Sequence, residues 1–530
     1  MLFTSASFVL FAAVTLLLYF AVPKRIQWWV LLAASLTFYA LSGTGYLFFI
    51  LYTALLSYLT ARLLQRMADA EDAYVEAHRD TMEKAERKTL RAKGKKKRFR
   101  VLVAGLLLGF GMLAVLKYTA FVLTGVNSIA AGFGSAGVRI PELLLPLGIS
   151  FYTFQSMGYL IDVYRKKARA EHNFAKLLLF VSFFPQLLQG PISRFGALHE
   201  QLITPHRFDA FSFRAGLLRV LWGYFKKVLI ADTAMIAIKP LLSAPDHYTG
   251  VYVLLLILLY SAQIYGDFTG GIDITIGLSE MMGIRLTENF NRPFSSRSTK
   301  EYWNRWHITM GSWFTDYVFY PLSCTRPMQR LSSFSVAKLG RGIGLRLPVY
   351  IATIVTWFLT GLWHGAGWNF IVWGLLNCAV ILISRELEPL YRKFHQRFPR
   401  LSASAVYGGF AAIRTFLLMG LIRSLDCYAD VSLTFRQWGS MLTDWNWARL
   451  FSGADSFSHL LSIPTWGVLL LGIAVVFFVS RAGKDSPVRH RIANHSVLTC
   501  LCLCAMLVVV LTFGSYGIGY DASAFIYTQF

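Results

Sequence analysis

Long apolar runs alternate with short polar loops along almost the whole chain. Runs with no charged residue, or one, cover residues 3–22, 28–41, 46–61, 101–122, 177–188, 251–264, 349–363, 370–383, 466–479 and 497–513. Lys117 is the one interruption in the fourth. Two weaker runs carry charge: 213–222 holds Arg214 and Arg219, and 405–421 holds Arg414. A bilayer core about 30 Å thick takes roughly 20 apolar residues per helical crossing. The shorter runs are therefore extended by their flanks or are re-entrant. The pattern predicts an all-α polytopic membrane protein of about ten to twelve transmembrane and re-entrant helices. No polar stretch is long enough to build a second core, so residues 1–530 read as one membrane domain.

Composition agrees with the pattern. Apolar residues make up 55% of the chain and charged residues 15%, against about 25% charged in soluble proteins. Mean hydropathy is +0.50. The first apolar run has no basic residue before it, and Lys24 and Arg25 follow it. That order is not a signal peptide's, and it places the N-terminus outside with residues 24–25 in the cytoplasm. Residues 62–100 are the most polar stretch. Asp69, Glu71, Asp72 and Glu76 come first, and the lysine-rich run 93–100 comes last. This predicts a charged helical hairpin in the cytoplasm. The net charge of +24 sits mostly in short loops, which is the positive-inside distribution. It points to anionic lipid headgroups and away from nucleic acid. The six cysteines include Cys500, Cys502 and Cys504 in the last apolar run, and no C-x-x-C pair exists. They suggest neither a metal cluster nor a disulfide framework.

Polar residues inside apolar sequence are costly in lipid and so mark candidate function. In 143–165, Ser150, Tyr152, Thr153, Gln155, Ser156 and Tyr159 give a helix a polar stripe. The stripe is either interhelical hydrogen bonding or the wall of a polar cavity. In 181–202, Pro185, Gly190 and Pro191 break a helix, and Arg194 and His199 lie just beyond. In 265–322, Asp267 and Asp273 stand in apolar sequence, and His307 stands among Trp303, Trp306 and Trp313. Residues 285–303 read as a cytoplasmic-side interfacial or re-entrant region with aromatic anchors. In 360–374, His364 lies deep in an apolar run beside Trp363, with glycines at 361, 365 and 367. A single embedded histidine can be purely structural. His307 and His364 are nevertheless the most plausible chemical pair, because imidazole can take a proton from a hydroxyl near neutral pH. They are 57 residues apart and can meet only by folding. No serine elbow, phosphate loop or H-E-x-x-H zinc motif is present.

The motifs LPLGISFYTFQSMGYLIDVYR (145–165), FFPQLLQGPISRF (183–195), the long segment 266–322, TGLWHGAGWNFIVWG (360–374) and the C-terminal 513–530 resemble the membrane-bound O-acyltransferase family. The likeness is to its bacterial branch of polysaccharide acetylases and teichoic acid D-alanyl transfer proteins. It implies a curved helical bundle around a central tunnel. It implies His364, of the W-H-G motif, as the catalytic residue and His307 as its second histidine. Asp267, Asn304, Arg305, Asp316, Trp303 and Trp363 are implied as supporting or tunnel-lining positions. Two departures weigh against alginate itself as acceptor. Asn377 stands where alginate-type members often have histidine, and the stretch 323–348 is long and basic.

The chemistry implied is transfer of an acyl group, acetyl first of all, to a hydroxyl. No cofactor is bound permanently and no metal is implied. The donor is an acyl thioester, acetyl-CoA or an acyl carrier protein, reached from the cytoplasm. The acceptor is a cell-envelope polysaccharide or an extracytoplasmic relay protein or acyltransferase. His364 is the general base for the acceptor hydroxyl, with a covalent acyl-histidine as second choice. D-alanyl transfer to teichoic acid is the competing reading inside the family. A transporter or flippase without acyl chemistry is the competing reading outside it, though no repeated halves of the transporter kind are visible. The expected location is the bacterial cytoplasmic membrane.

Overall fold

The computed structural model describes residues 3–445, 447–453 and 455–516. The motif residues 517–530 lie outside the described residues. The described chain is helical, and no strand occurs among those residues. Eight helices are long and apolar enough to cross a membrane, and two apolar helical stretches, Ala6–Ala21 and Phe174–Gln189, are shorter.

The chain forms two compact units. One is residues 1–213 with 278–286; the other is 214–277 with 287–530. The polar stretch 204–209, with Pro205, His206 and Arg207, separates the two sets of apolar runs.

The first unit contains α1 (Ala6–Ala21), α2 (Gln27–Ser42), α3 (Tyr46–Ala77), α4 (Lys84–Gly132), α5 (Ile149–Tyr164), α6 (Phe174–Ser182), α7 (Phe184–Gln189) and α8 (Phe195–Ile203). The α1 start is set by Ser5, whose Oγ accepts the Phe8 N–H. At 32 and 49 residues, α3 and α4 are about 48 and 73 Å long, well beyond a bilayer core. Their charged ends meet across the turn at 78–83. Arg98 Nη1 is 2.7 Å from Glu71 Oε2; Lys166, just past α5, adds a contact to α3 with its Nζ 2.5 Å from Asp72 Oδ2. Within the polar stripe of α5, Gln155 bonds between helices. Gln155 Nε2 donates to the Phe180 carbonyl (2.9 Å), Gln186 Nε2 to Gln155 Oε1 (3.2 Å), and Ser193 Oγ to Gln186 Oε1 (3.1 Å). The breaks at Pro185 and Gly190 divide α6, α7 and α8.

The second unit carries most of α9 (Ala210–Tyr224), a π-helical turn (Phe225–Ala231), α10 (Asp232–Ser243) and most of α11 (Val251–Met281). It continues with α12 (Thr299–Arg305) and α13 (Ile308–Phe314), then α14 (Leu347–His364), α15 (Trp368–Glu386), α16 (Ala405–Arg423), α17 (Ile463–Ala482) and α18 (Ser496–Phe513). The basic stretch before α14 is itself largely helical over Arg326–Gly344. Helices α9 and α11 touch backbone to backbone. A Cβ on Gly270 would lie 2.8 Å from the Gly223 carbonyl oxygen. This contact places α11 beside the two lysines of the π-helical turn on one side. Its Phe268 faces the histidine region described next.

Candidate active site

His364 is the last residue of α14, and α15 begins four residues later. The two helices form a tight hairpin because Gly361 and Gly374 lack side chains. A Cβ would meet the Phe370 carbonyl oxygen at 2.4 Å from Gly361, and the Trp357 carbonyl oxygen at 2.5 Å from Gly374. The hairpin presses the His364 ring against Trp373, with ring centres 4.4 Å apart, and against Trp363 at 5.0 Å. His364 is buried, at 3% exposure.

His307 sits between α12 and α13 in the left-handed region, with φ 48° and ψ 52°. For a residue other than glycine that costs on the order of 1–3 kcal/mol and must be held by its surroundings. The clamp is Asn289. Its carbonyl accepts the Ile308 N–H (3.0 Å). Its Oδ1 accepts the Thr309 N–H (3.0 Å) and the Thr309 hydroxyl (2.9 Å), and lies 3.2 Å from His307 Nδ1. A backbone N–H can only donate, so the Asn289 atom facing Thr309 is the oxygen. His307 Nδ1 then carries the hydrogen, which leaves the lone pair on Nε2. Burial, and after it the positive charge of Arg423, push the His307 imidazole down to about 3. His307 is thus a neutral ring offering an acceptor nitrogen.

Trp363 joins the two histidines: its ring centre is 5.6 Å from His307 and 5.0 Å from His364. Phe268 of α11 closes the other side of His307, edge-on at 4.8 Å. Trp303 packs on Trp357 (4.8 Å) and Trp373 (5.7 Å), in the wall behind His364. Folding therefore brings His307, His364, Trp363 and Trp303 into one aromatic-walled site.

The other residues named from the sequence lie elsewhere. Asp267 is fully buried and 2.7 Å from Lys227 Nζ, adjoining Phe268 rather than a histidine. Arg305 turns to Glu301 (2.6 Å) and Ser295 (2.9 Å), and its carbonyl accepts the Asn291 N–H, so it closes the loop between residues 291 and 305. Asn304 is exposed, and Asp316 lies half-buried in the π-helical turn Thr315–Phe319. Two residues of the site escaped the sequence reading. One is Asn289. The other is Arg423, at the end of α16, whose guanidinium lies 5.4 Å from the Trp306 ring centre and 4.9 Å from that of Trp373. The available signal for Arg423 was an arginine and an aspartate three residues apart closing an apolar run.

Beside this site lies a lattice of charges, largely buried apart from the exposed Glu288. Arg219 bonds Asp273 (2.8 Å) and, bidentately, Glu288 (2.7 and 2.6 Å). Lys226 meets Asp273 (2.6 Å), and Lys227 meets Asp232 and Asp267 (2.7 Å each).

Comparison with known proteins bears on what this arrangement does. The profile of the MBOAT, membrane-bound O-acyltransferase family matches residues 164–425, a span that includes both histidines. A probable alginate O-acetylase of Pseudomonas aeruginosa is 34% identical over 393 residues, 74% of this chain and 69% of that protein. A probable alginate O-acetylase of Azotobacter vinelandii is 37% identical over 290 residues, 54% of each chain. A peptidoglycan O-acetyltransferase of Helicobacter pylori is 31% identical over 328 residues, 57% of this chain and 58% of its own. In the Azotobacter and Helicobacter relatives the match spans a little over half of their length.

Proposed function

This chain belongs to the membrane-bound O-acyltransferase family, and on that premise we propose that it transfers an acetyl group from a thioester to a hydroxyl across the cell membrane in which its helices lie. The donor is acetyl-CoA or an acyl carrier protein on the cytoplasmic side. The acceptor is a hydroxyl of a cell-envelope polysaccharide, or of an extracytoplasmic relay protein or acyltransferase that passes the group on. That the relatives above are named as O-acetylases favours acetyl over D-alanyl.

The observation that carries this reading is the shared wall of two buried histidines, one of them fixed as a neutral acceptor. In the step we infer, the His364 imidazole takes the acceptor O–H proton. The oxygen attacks the thioester carbonyl, the C–S bond breaks, and the leaving thiolate recovers the proton from His364. His307 Nε2 accepts a hydrogen bond from a second donor group of the acceptor, such as a neighbouring hydroxyl, and so orients it while the reacting O–H points to His364. The aromatic walls exclude water, which would otherwise take the acyl group. The tryptophan and phenylalanine rings suit the thin, largely uncharged acyl end of a thioester.

The test is reconstitution in vesicles with labelled acetyl thioester on one side. Acyl transfer predicts release of free thiol together with labelled ester on an acceptor glycan or protein. A protein that moved substrate across the vesicle wall and left the thioester intact would overturn the reading in favour of a transporter. Mass spectrometry of envelope polymers with and without the protein identifies group and acceptor together.

A further inference from the structure

Arg423 is 5% exposed at the end of α16. Its nearest counter-charge is Asp426 Oδ2 at 3.1 Å. It also bonds the Tyr302 hydroxyl, and Asp426 is bonded by the Tyr260 hydroxyl. A buried ion pair is rarely a net source of stability, since desolvation offsets most of the attraction. This one lies against two aromatic faces. The Trp373 ring is the one that packs on His364, and Trp306 is the residue that precedes His307. A guanidinium near such faces is attracted by the ring quadrupole and is planar enough to stack.

We propose that Arg423 is a positioning residue for acyl transfer: held by Asp426 and Tyr302, its guanidinium lies against Trp306 and Trp373 and so fixes the walls that set the His307 and His364 rings. The part that concerns acyl transfer rests on the function proposed above; the part that concerns the rings does not. A fixed cation at this point also disfavours a second positive charge on His307, and keeps that ring an acceptor. Its substitution acts through the histidines and leaves thioester binding in place.

The experiment compares wild type, Arg423→Gln and Arg423→Lys in detergent or vesicles, with thermal unfolding as the check on folding. Two measurements are made. The first is turnover of labelled acetyl thioester, resolved into kcat and KM. Arg423→Gln is expected to lose kcat about 100-fold, the scale of a small misplacement of catalytic groups, with donor KM unchanged within about twofold. Arg423→Lys keeps the cation and loses the planar stack, so it recovers about tenfold of that loss. The second is the rate at which diethylpyrocarbonate modifies His307 and His364, read on the peptides by mass spectrometry. Both rates are expected to rise several-fold in Arg423→Gln and less in Arg423→Lys.

Wild-type kcat in Arg423→Gln, or a change in KM alone, overturns the proposal. Unchanged modification rates overturn it as well. If Arg423→Gln does not fold, Arg423→Lys decides: wild-type kcat and wild-type histidine reactivity in that variant exclude the stacked guanidinium as the positioning element. If wild type consumes no thioester, it is the acyl-transfer reading that fails, and the histidine modification rates still decide whether Arg423 sets the two rings.

Discussion

Two largely buried polar clusters flank the middle of α11, and they solve the same problem in opposite ways. On one side, Arg219, Lys226 and Lys227 meet Asp232, Asp267, Asp273 and Glu288 at salt-bridge distances. On the other side, two histidines meet tryptophan and phenylalanine rings. In the first, three cations are shared among four carboxylates, and each of the seven groups is paired. In the second, polarity is supplied by two imidazoles, that of His307 neutral, set among aromatic rings. Paired charge holds helices together; a neutral proton acceptor walled by aromatic rings is suited to chemistry. The neighbours Asp267 and Phe268 show the division on one helix, the first bonded to Lys227 and the second packed on His307.

The largest way to break this contrast is His364→Ala. The variant is expected to lose roughly 10³- to 10⁴-fold in acyl transfer, the range of a general base, with its thermal midpoint little changed. Turnover of labelled thioester by a purified, monodisperse variant checks both halves. Wild-type turnover would remove His364 from the mechanism. Lys227→Met should do the reverse. It leaves two buried carboxylates without their cation, at a cost of roughly 3–5 kcal/mol. The expected outcome is loss of folded protein, while any surviving molecules keep near-wild-type specific activity. A stable Lys227→Met with a dead active site would put the lattice inside the chemistry.

Much of the fold could be read in the sequence because the bilayer imposes a length and a polarity on each crossing. The two histidines were legible for the same reason: a polar residue in lipid needs a cause. What could not be read were the partners. Asp267 appears in the sequence as a carboxylate stranded in apolar residues, and its lysine lies 40 residues earlier. Asn289 looks like any residue of a polar loop, since its role depends on a left-handed turn at a histidine 18 residues away. Arg423 looks like a charge that ends a helix, and only packing puts two indole rings beside it. The residues 304 and 305, next to the histidine in sequence, point away from it, because α12 ends there and the chain reverses direction at His307.

Asn289→Leu sharpens the comparison from the side of the histidines. It removes the atom that fixes the His307 tautomer and one anchor of the strained turn. A loss of about 10- to 100-fold in kcat is expected, with a stability cost of about 1–3 kcal/mol for the donors left unpaired. Asn289→Asp, which keeps an acceptor oxygen facing Thr309, should retain more activity than Asn289→Leu. Equal activities for the two variants would show that the oxygen facing His307 does not matter.

The smallest effect concerns pH. The His307 imidazole is pushed from 6.5 down to about 3, by burial first and the Arg423 charge second. The unfolded chain, whose histidine titrates near 6.5, therefore binds a proton between these values where the folded chain does not. Stability supplied by this site is complete above about pH 6.5 and declines as pH falls toward 3. His307→Gln has no such proton to bind, so its thermal midpoint should fall less steeply than wild type between pH 6.5 and 4. The salt-bridged lattice behaves the same in both proteins and cancels in the difference. Parallel slopes would mean that His307 takes up a proton in the folded state over this range. It would then be a charged group like those of the lattice, and the distinction between the two clusters would be lost.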